Sequence, residues 1–361
     1  MTIYSGDELP FVSPDLPGTG GEFRAFPEDF IVEEIPAYEP CGQGSHLFLW
    51  IEKREKNTRD AVQEIAALLG IQEREIGCAG MKDRHALTRQ YLSVPASGTD
   101  LSRLNALRNL PEGAELRILK SALHGNKLKT GHLKGNRFSI RIRNAVPDAF
   151  ERAETIAGWL SEHGLPNAYG SQRFGRDGMN AVRGRSLVMK SGSALGNRFL
   201  RRLCISAYQS MLFNRVLARR MSDGLFETAI EGDLMKKSGT GGLFVSQDPA
   251  VDGTRTKSFE ISPTGPVFGH RMMLPAGEEL AREESVLAEE GITLDSFRHL
   301  KGDAEGSRRP MRIRVSPRIF GEKSGTIRLE FELPKGSFAT VLLREIMKTG
   351  AAELPEQLDE A

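Results

Sequence analysis

Cysteine is nearly missing from this 361-residue chain: its three thiols, Cys41, Cys78 and Cys204, lie far apart and form no CxxC pair. Three thiols cannot all pair internally and lie far apart, so neither a disulfide framework nor a cysteine-based zinc site is expected. Free thiols fit a reducing compartment, and the expectation is cytoplasmic. Net charge is equally scarce: 49 Lys and Arg stand against 48 Asp and Glu, a sum of +1. Global charge therefore names no partner, and a nucleic-acid footprint has to come from local clustering. No apolar run approaches the roughly 18 residues of a membrane span. The first 20 residues hold Asp7, Glu8 and Asp15 and no Lys or Arg, the opposite of a signal peptide. Their Pro and Gly read as an extended, poorly ordered opening segment. GxxxxGKS/T, GxGxxG after a strand, HExxH and GxSxG are all absent. The seven histidines show no ligand spacing, so no metal is expected. There are no internal repeats.

Bulky and alternating runs are what the chain does have. Residues 46–53 (HLFLWIEK) suit a buried strand, and 92–94 a short one. Asn57 or Thr58 caps a helix reaching Leu69, with Ala61, Val62, Ile65 and Leu68 on one stripe and Gly70 as its stop. In FSIRIR (138–143), Phe138, Ile140 and Ile142 face one way and Ser139, Arg141 and Arg143 the other, giving a half-buried strand with a basic face. TIRLEFEL (326–333) repeats that period with Ile327, Leu329, Phe331 and Leu333 inward, and a turn at 334–337 leads into a helix over 339–348. Helices are also predicted over 150–163 and 197–221. Residues 232–275 read as loop-rich, including SGTGG at 238–242. Residues 278–290 carry six Glu and one Arg and read as a helix with a solvated face. Without regular βαβ alternation, the expectation is an α+β protein. Composition shifts near 166 and 313, and the length suits about two domains.

Charge clusters even though it cancels. Arg117, Lys120, Lys127, Lys129, Lys134, Arg137, Arg141 and Arg143 follow one another with no acid between them. Arg198, Arg201, Arg202, Arg215, Arg219 and Arg220 do the same, and Arg173, Arg176, Arg183 and Arg185 form a third group. The acids gather at 278–290 and in a tail from Glu353 to Glu360. Phe138, Phe174, Phe199 and Phe213 are interleaved with the arginines, a pattern that suits unpaired RNA bases on a phosphate-binding face. The bland reading is a set of solvated faces.

The densest polar cluster is GCAGMKDRHALTRQYLSV at 77–94, where Asp83 sits between Lys82 and Arg84. Asp83 is either a surface-turn acid neutralised by its neighbours or a carboxylate held among cations as a nucleophile.

Five segments decide between them. PEDFIVEE (27–34), AGMKDRHALTRQ (79–90), GHLKGNRF (131–138), GSQRFG (170–175) and LPKGSFATVLLRE (333–345) together resemble the TruD family of tRNA pseudouridine synthases. The resemblance runs from about residue 22 to 348. It implies a V-shaped α+β protein. Its pseudouridine synthase catalytic domain, with a mixed, mainly antiparallel sheet, maps to 1–166 and 314–361. An inserted α/β domain maps to 167–313. The implied reaction is isomerisation of uridine to pseudouridine in tRNA, at position 13 of the D arm, with no cofactor and no metal. The implied partner is tRNA, with no membrane and a monomer favoured. Matched by motif, Asp83 is the catalytic aspartate. Phe30, Asn136 and Phe338 match substrate-contacting positions, and Phe138 the aromatic that packs on the target base. Arg24, where the family often has Lys, is expected to pair bidentately with Asp83, although Lys82 offers the same charge. Whether Asp83 attacks sugar or base, or assists glycal formation, stays open. Two rivals stay open as well: a non-catalytic RNA-binding protein, and a glycoside or nucleoside hydrolase with Glu33 or Glu34 as its second carboxylate.

Overall fold

A computed structural model of the chain describes residues 9–191 and 196–348. The first eight residues of the opening segment and the acidic tail from Glu353 to Glu360 lie outside the described residues. The first elements in chain order are β1 (Phe30–Pro36), β2 (His46–Arg54), α1 (Thr58–Leu69), β3 (Gly77–Cys78), β4 (Leu87–Pro95), α2 (Asn105–Arg108), β5 (Leu116–His124), β6 (Leu133–Ile142) and α3 (Ala149–His163). The middle of the chain adds β7 (Leu165–Pro166), α4 (Met179–Val188), α5 (Arg198–Ser222), β8 (Leu234–Lys237), β9 (Leu243–Val245), α6 (Pro249–Lys257), β10 (Ile261–Val267), α7 (Gly277–Glu289), β11 (Ser307–Pro310) and β12 (Arg312–Ile313). Last come β13 (Arg318–Gly321), β14 (Ile327–Pro334) and α8 (Ala339–Met347). Packing divides the chain into two units. Residues 19–154 and 317–336 form a sheet unit; 155–316 and 337–348, with 9–18, form a second, helix-rich unit. The cut between residues 154 and 155 falls inside α3.

Strand alternation builds the sheet unit. Its eight-stranded sheet runs β13-β14-β6-β1-β4-β2-β5, with β3 beside β4. β1 and β4 are parallel, and the other described pairs are antiparallel. One face is apolar. Leu47, Leu49, Ile51, Leu92 and Val94 bury against Ala61, Ile65 and Leu69 of α1, and Phe138, Ile140, Leu329, Phe331 and Leu333 are buried on β6 and β14. Helix α1 starts where expected: the Asn57 side chain accepts from the backbone N–H of Asp60, and Gly70 closes the helix. The predicted short strand at 92–94 is the end of the nine-residue β4, whose polar start at Thr88–Arg89 is paired on both sides.

The opposite face carries a row of charges across six strands. In order they are Arg117 on β5, Glu52 on β2, Arg89 on β4, Glu33 on β1, Arg137 on β6 and Glu332 on β14. Each pair of neighbours is in register. Their ion pairs measure 2.6, 2.9, 3.4, 3.4 and 2.9 Å. Opposite charges directly across a ladder stabilise it modestly. Arg117 and Arg137, counted in the first basic run, are thus committed to the sheet.

In the second unit α5 is the longest element. α4 crosses it at Gly184, where an added Cβ would lie 2.0 Å from the carbonyl oxygen of Cys204. Gly184→Ala should therefore force the helices apart and destabilise the unit by about 1–3 kcal/mol, read as a lowered melting temperature.

Three expectations need correction in this unit. Residues 232–275 hold more structure than expected: SGTGG is a turn, but around it stand α6 and the strands β8, β9 and β10 of a four-stranded sheet of order β11-β10-β8-β9. Pro263, Gly265 and Pro266 disguise β10. It pairs with β8 through residues 261–263 and with β11 through 264–267, so each half is paired on only one side and tolerates proline. The acidic helix is solvated on one side only: Glu278, Glu284 and Glu289 are exposed, but the other acids are not free. Glu279 and Glu283 are buried against Arg220, Arg282 and Arg308, while Glu289 and Glu290 engage Arg219, Arg185 and Arg215. Two like-charged runs thus neutralise each other. The described part of the opening segment is docked rather than loose. Val12 N–H donates to the wholly buried Glu345 carboxylate, and the Arg344 guanidinium lies 3.9 Å from the Phe11 ring centroid.

Candidate active site

Residues 79–86 connect β3 to β4 and carry Asp83. Buried polar side chains grip this loop from below. Gln90 Nε2 donates to the Gly80 carbonyl at 3.0 Å, and Thr58 Oγ1 accepts the Lys82 N–H at 2.8 Å while donating to Gln90 Oε1. Lys53 Nζ donates to the carbonyls of Lys82 and Asp83, at 3.2 and 2.7 Å, and to that of Lys56. Lys53, Thr58 and Gln90 are wholly buried. Lys82 points away from Asp83: its Nζ donates to Glu34 Oε2 at 3.2 Å. Burial pushes the Glu34 carboxyl above its usual range, and the Lys82 ammonium works against that shift.

Arg24 is therefore the cation on Asp83. Its Nη2 donates to Asp83 Oδ2 at 3.3 Å, with the arginine side chain 6% exposed and the aspartate 31%. The recorded contact joins one nitrogen to one oxygen, not the expected fork. Arg24 adopts φ 67°, a left-handed conformation uncommon for a side-chain-bearing residue. Flanking contacts hold it there: Glu22 exchanges both backbone hydrogen bonds with Arg143, and Phe23 is buried. The guanidinium then lies 4.0 Å above the Phe30 ring centroid, a cation–π contact.

The PEDF segment explains how Phe30 comes to be there. Residues 27–29 make one 3-10 turn. The buried Asp29 accepts the Phe26 N–H and a two-pronged contact from Arg143, 2.8 Å on each side. Phe30 opens β1 at 1% exposure, and its edge meets Phe138, which stacks on Phe331 at 5.1 Å. Two of the three predicted substrate aromatics, Phe30 and Phe138, are thus buried. Asn136 lies two residues from Phe138, on the same face of β6 and opposite Glu34. Its buried Oδ1 takes no hydrogen bond.

Phe338 belongs to the second unit. It is half-buried at the start of α8, with its ring 5.7 Å from that of Tyr169. The Arg309 guanidinium lies 4.2 Å over Tyr169, and Asn167 Oδ1 accepts from both Ser337 and Arg309. Gly170 leaves no room for a side chain beside Thr340 and Phe338. The GSQRFG and GSFAT segments therefore meet within this unit.

The interleaved aromatics divide unequally. Phe138, Phe174 and Phe213 are core, and only Phe199 is exposed, at 59%. Arg220 is buried, and Arg201 and Arg202 both approach Asp303 at 3.5 Å. Glu33 and Glu34 point to opposite faces of β1, each against a cation. Sequence reasoning missed Lys53, Thr58, Gln90 and Tyr169. Lys53 had a signal: in HLFLWIEK it continues the face of Leu47, Leu49 and Ile51, and a lysine extending an apolar stripe needs acceptors.

The family model described as tRNA pseudouridine synthase D (TruD) matches residues 10–195 and 188–346. The chain belongs to the TruD family. It is 51% identical to the tRNA pseudouridine synthase D of Anaeromyxobacter dehalogenans, over 98% of this chain and 99% of that one. It is 45% identical to that of Thermus thermophilus, over 97% and 95%. A solved structure from Methanosarcina mazei, described as a candidate tRNA pseudouridine synthase D, superposes with a TM-score of 0.77 at 24% identity. The match covers 97% of this chain and 98% of that one, and it establishes a shared TruD fold. Among the described residues, no helix is long and apolar enough to cross a membrane.

Proposed function

We infer that this chain is a tRNA pseudouridine synthase in which Asp83 carries the chemistry and Arg24 holds it in place. TruD family membership makes the reaction the isomerisation of uridine to pseudouridine in tRNA. The N1–C1′ bond breaks, the uracil turns, C5 bonds to C1′, C5 loses its proton and N1 gains one, so composition is unchanged. A carboxylate beside C1′ supports the positive charge that grows there as N1 departs. The observation that supports this role most is the Arg24–Asp83 contact, made by a guanidinium seated on Phe30 above a buried aromatic floor. Glu33 and Glu34 are each engaged by cations, which favours an isomerase over a two-carboxylate hydrolase.

In this reading Phe30 and Phe138 act through Arg24, as its support. The unpartnered Oδ1 of Asn136 is the acceptor for the uracil N3–H, and Phe338 packs against the substrate. The catalytic domain is 1–166 with 314–361, and 167–313 is an insert that grips the tRNA. The target is uridine 13 of the D arm, and the enzyme works in the cytoplasm. Purified protein mixed with a tRNA transcript carrying C5-tritiated uridine should release tritium in proportion to one uridine per molecule. Binding without release would instead identify an RNA-binding protein.

Lys53 positions Asp83, so Lys53→Met should loosen the loop. Misplacement of about 1 Å lowers turnover on the order of 10²-fold. We expect kcat to fall with KM for tRNA little changed, and Lys53→Arg to recover part of it. A lowered melting temperature with normal kcat per folded molecule would reduce Lys53 to a purely structural role.

A further inference from the structure

We propose that Met81 is the apolar wedge that takes the place of the target uridine in the RNA stack. The inference rests on the isomerase reading above. Met81 is 65% exposed, more than any other large apolar side chain among the described residues. Two peptide steps separate it from Asp83, so their Cα atoms lie at most about 7.6 Å apart.

An exposed methionine on a loose loop would carry no argument. This one has a rigid mount. The Gly80 carbonyl before it is held by Gln90 and the Lys82 N–H after it by Thr58, and both of those side chains are wholly buried. Lys53 fixes the next two carbonyls. With the backbone pinned on both sides, the Met81 side chain keeps its outward direction. The neighbours that share this surface are Arg84 and His85, both exposed. The arginine suits a phosphate and the methionine suits the flat faces of bases.

Chemistry at Asp83 gives such a wedge its purpose. The carboxylate is 31% exposed and tied to a nearly buried guanidinium. A uridine still stacked in an RNA arm cannot present C1′ and C5 to it and has to leave the stack. Unstacking leaves a gap between the neighbouring bases, and apolar side chains such as methionine are known to insert between base steps as wedges, the flexible thioether adapting to an irregular space. Met81 thus lowers the free energy of the extruded state without touching the reacting atoms.

The test compares two transcripts: the folded tRNA, and the same tRNA with an abasic site beside the target, which leaves the uridine already unstacked. Met81→Ala should release tritium from the first about tenfold more slowly than wild type, and from the second within about twofold of it. Met81→Leu should resemble wild type on both. Equal loss on the two transcripts, or no loss on either, overturns the wedge. No release by wild-type protein from either transcript overturns the isomerase reading and this inference with it. A surface side chain is altered, so the melting temperature should not move.

Discussion

Asp83→Asn should lower tritium release from tRNA on the order of 10⁴-fold or more, the usual scale for loss of a reacting carboxylate. The substitution is conservative in shape. The amide oxygen still accepts from Arg24 Nη2, and the Asp83 carbonyl still accepts from Lys53. What disappears is the negative charge at the sugar. Binding of tRNA should survive or tighten slightly, because an anion has left a surface that faces phosphates. A filter-binding titration beside the release assay separates the two effects. Near-normal release by the variant would remove Asp83 from the chemistry, and joint loss of binding and release would point to a disturbed fold.

The largest effect on stability should come from Arg220→Met. Arg220 is buried at the C-terminal end of α5, where Nη1 donates to Asp233 and Glu279 at 2.7 Å each. Nη2 donates to Asp233 at 2.6 Å and to the Thr228 carbonyl. Methionine fills a similar volume but leaves two buried carboxylates without this cation. Breaking a buried ion pair from one side typically costs about 3–5 kcal/mol. At roughly 2–4 °C per kcal/mol, the melting temperature should fall by about 10 °C. Adding Asp233→Asn and Glu279→Gln should recover part of the loss, because neutral amides are cheaper to leave in the interior. A single variant that melts like wild type would show that the network contributes little.

These two residues also mark what the sequence did and did not disclose. Strands with one buried face were legible: FSIRIR and TIRLEFEL alternate, and the structure buries the side predicted. Helix α1 was legible because Asn57 and Gly70 act locally. The acidic run at 278–290 was legible as a helix with a solvated face, but its buried side was not, because burial of charge depends on distant partners. Nothing near Glu279 announces Arg220, 59 residues earlier. β10 was missed because proline and glycine are read as breakers, and only the change of pairing partner at mid-strand explains their tolerance. At the site, the five motifs led to Arg24, Asp83, Phe30, Phe138 and Asn136, which the sheet unit gathers. The motifs did not disclose that Phe30 would be buried beneath a guanidinium, with Phe138 packed against its ring. The grip of Lys53, Thr58 and Gln90 on the loop was also hidden, because those residues lie on three separate elements.

The most direct test of the central claim is a nucleotide-resolution map of pseudouridine in the tRNA of cells lacking this protein. The cells are then supplied with wild type or Asp83→Asn. The account predicts that pseudouridine at one D-arm position, uridine 13, vanishes without the protein, returns with wild type and stays absent with the variant. Restoration by Asp83→Asn, or an unchanged map in its absence, would contradict it.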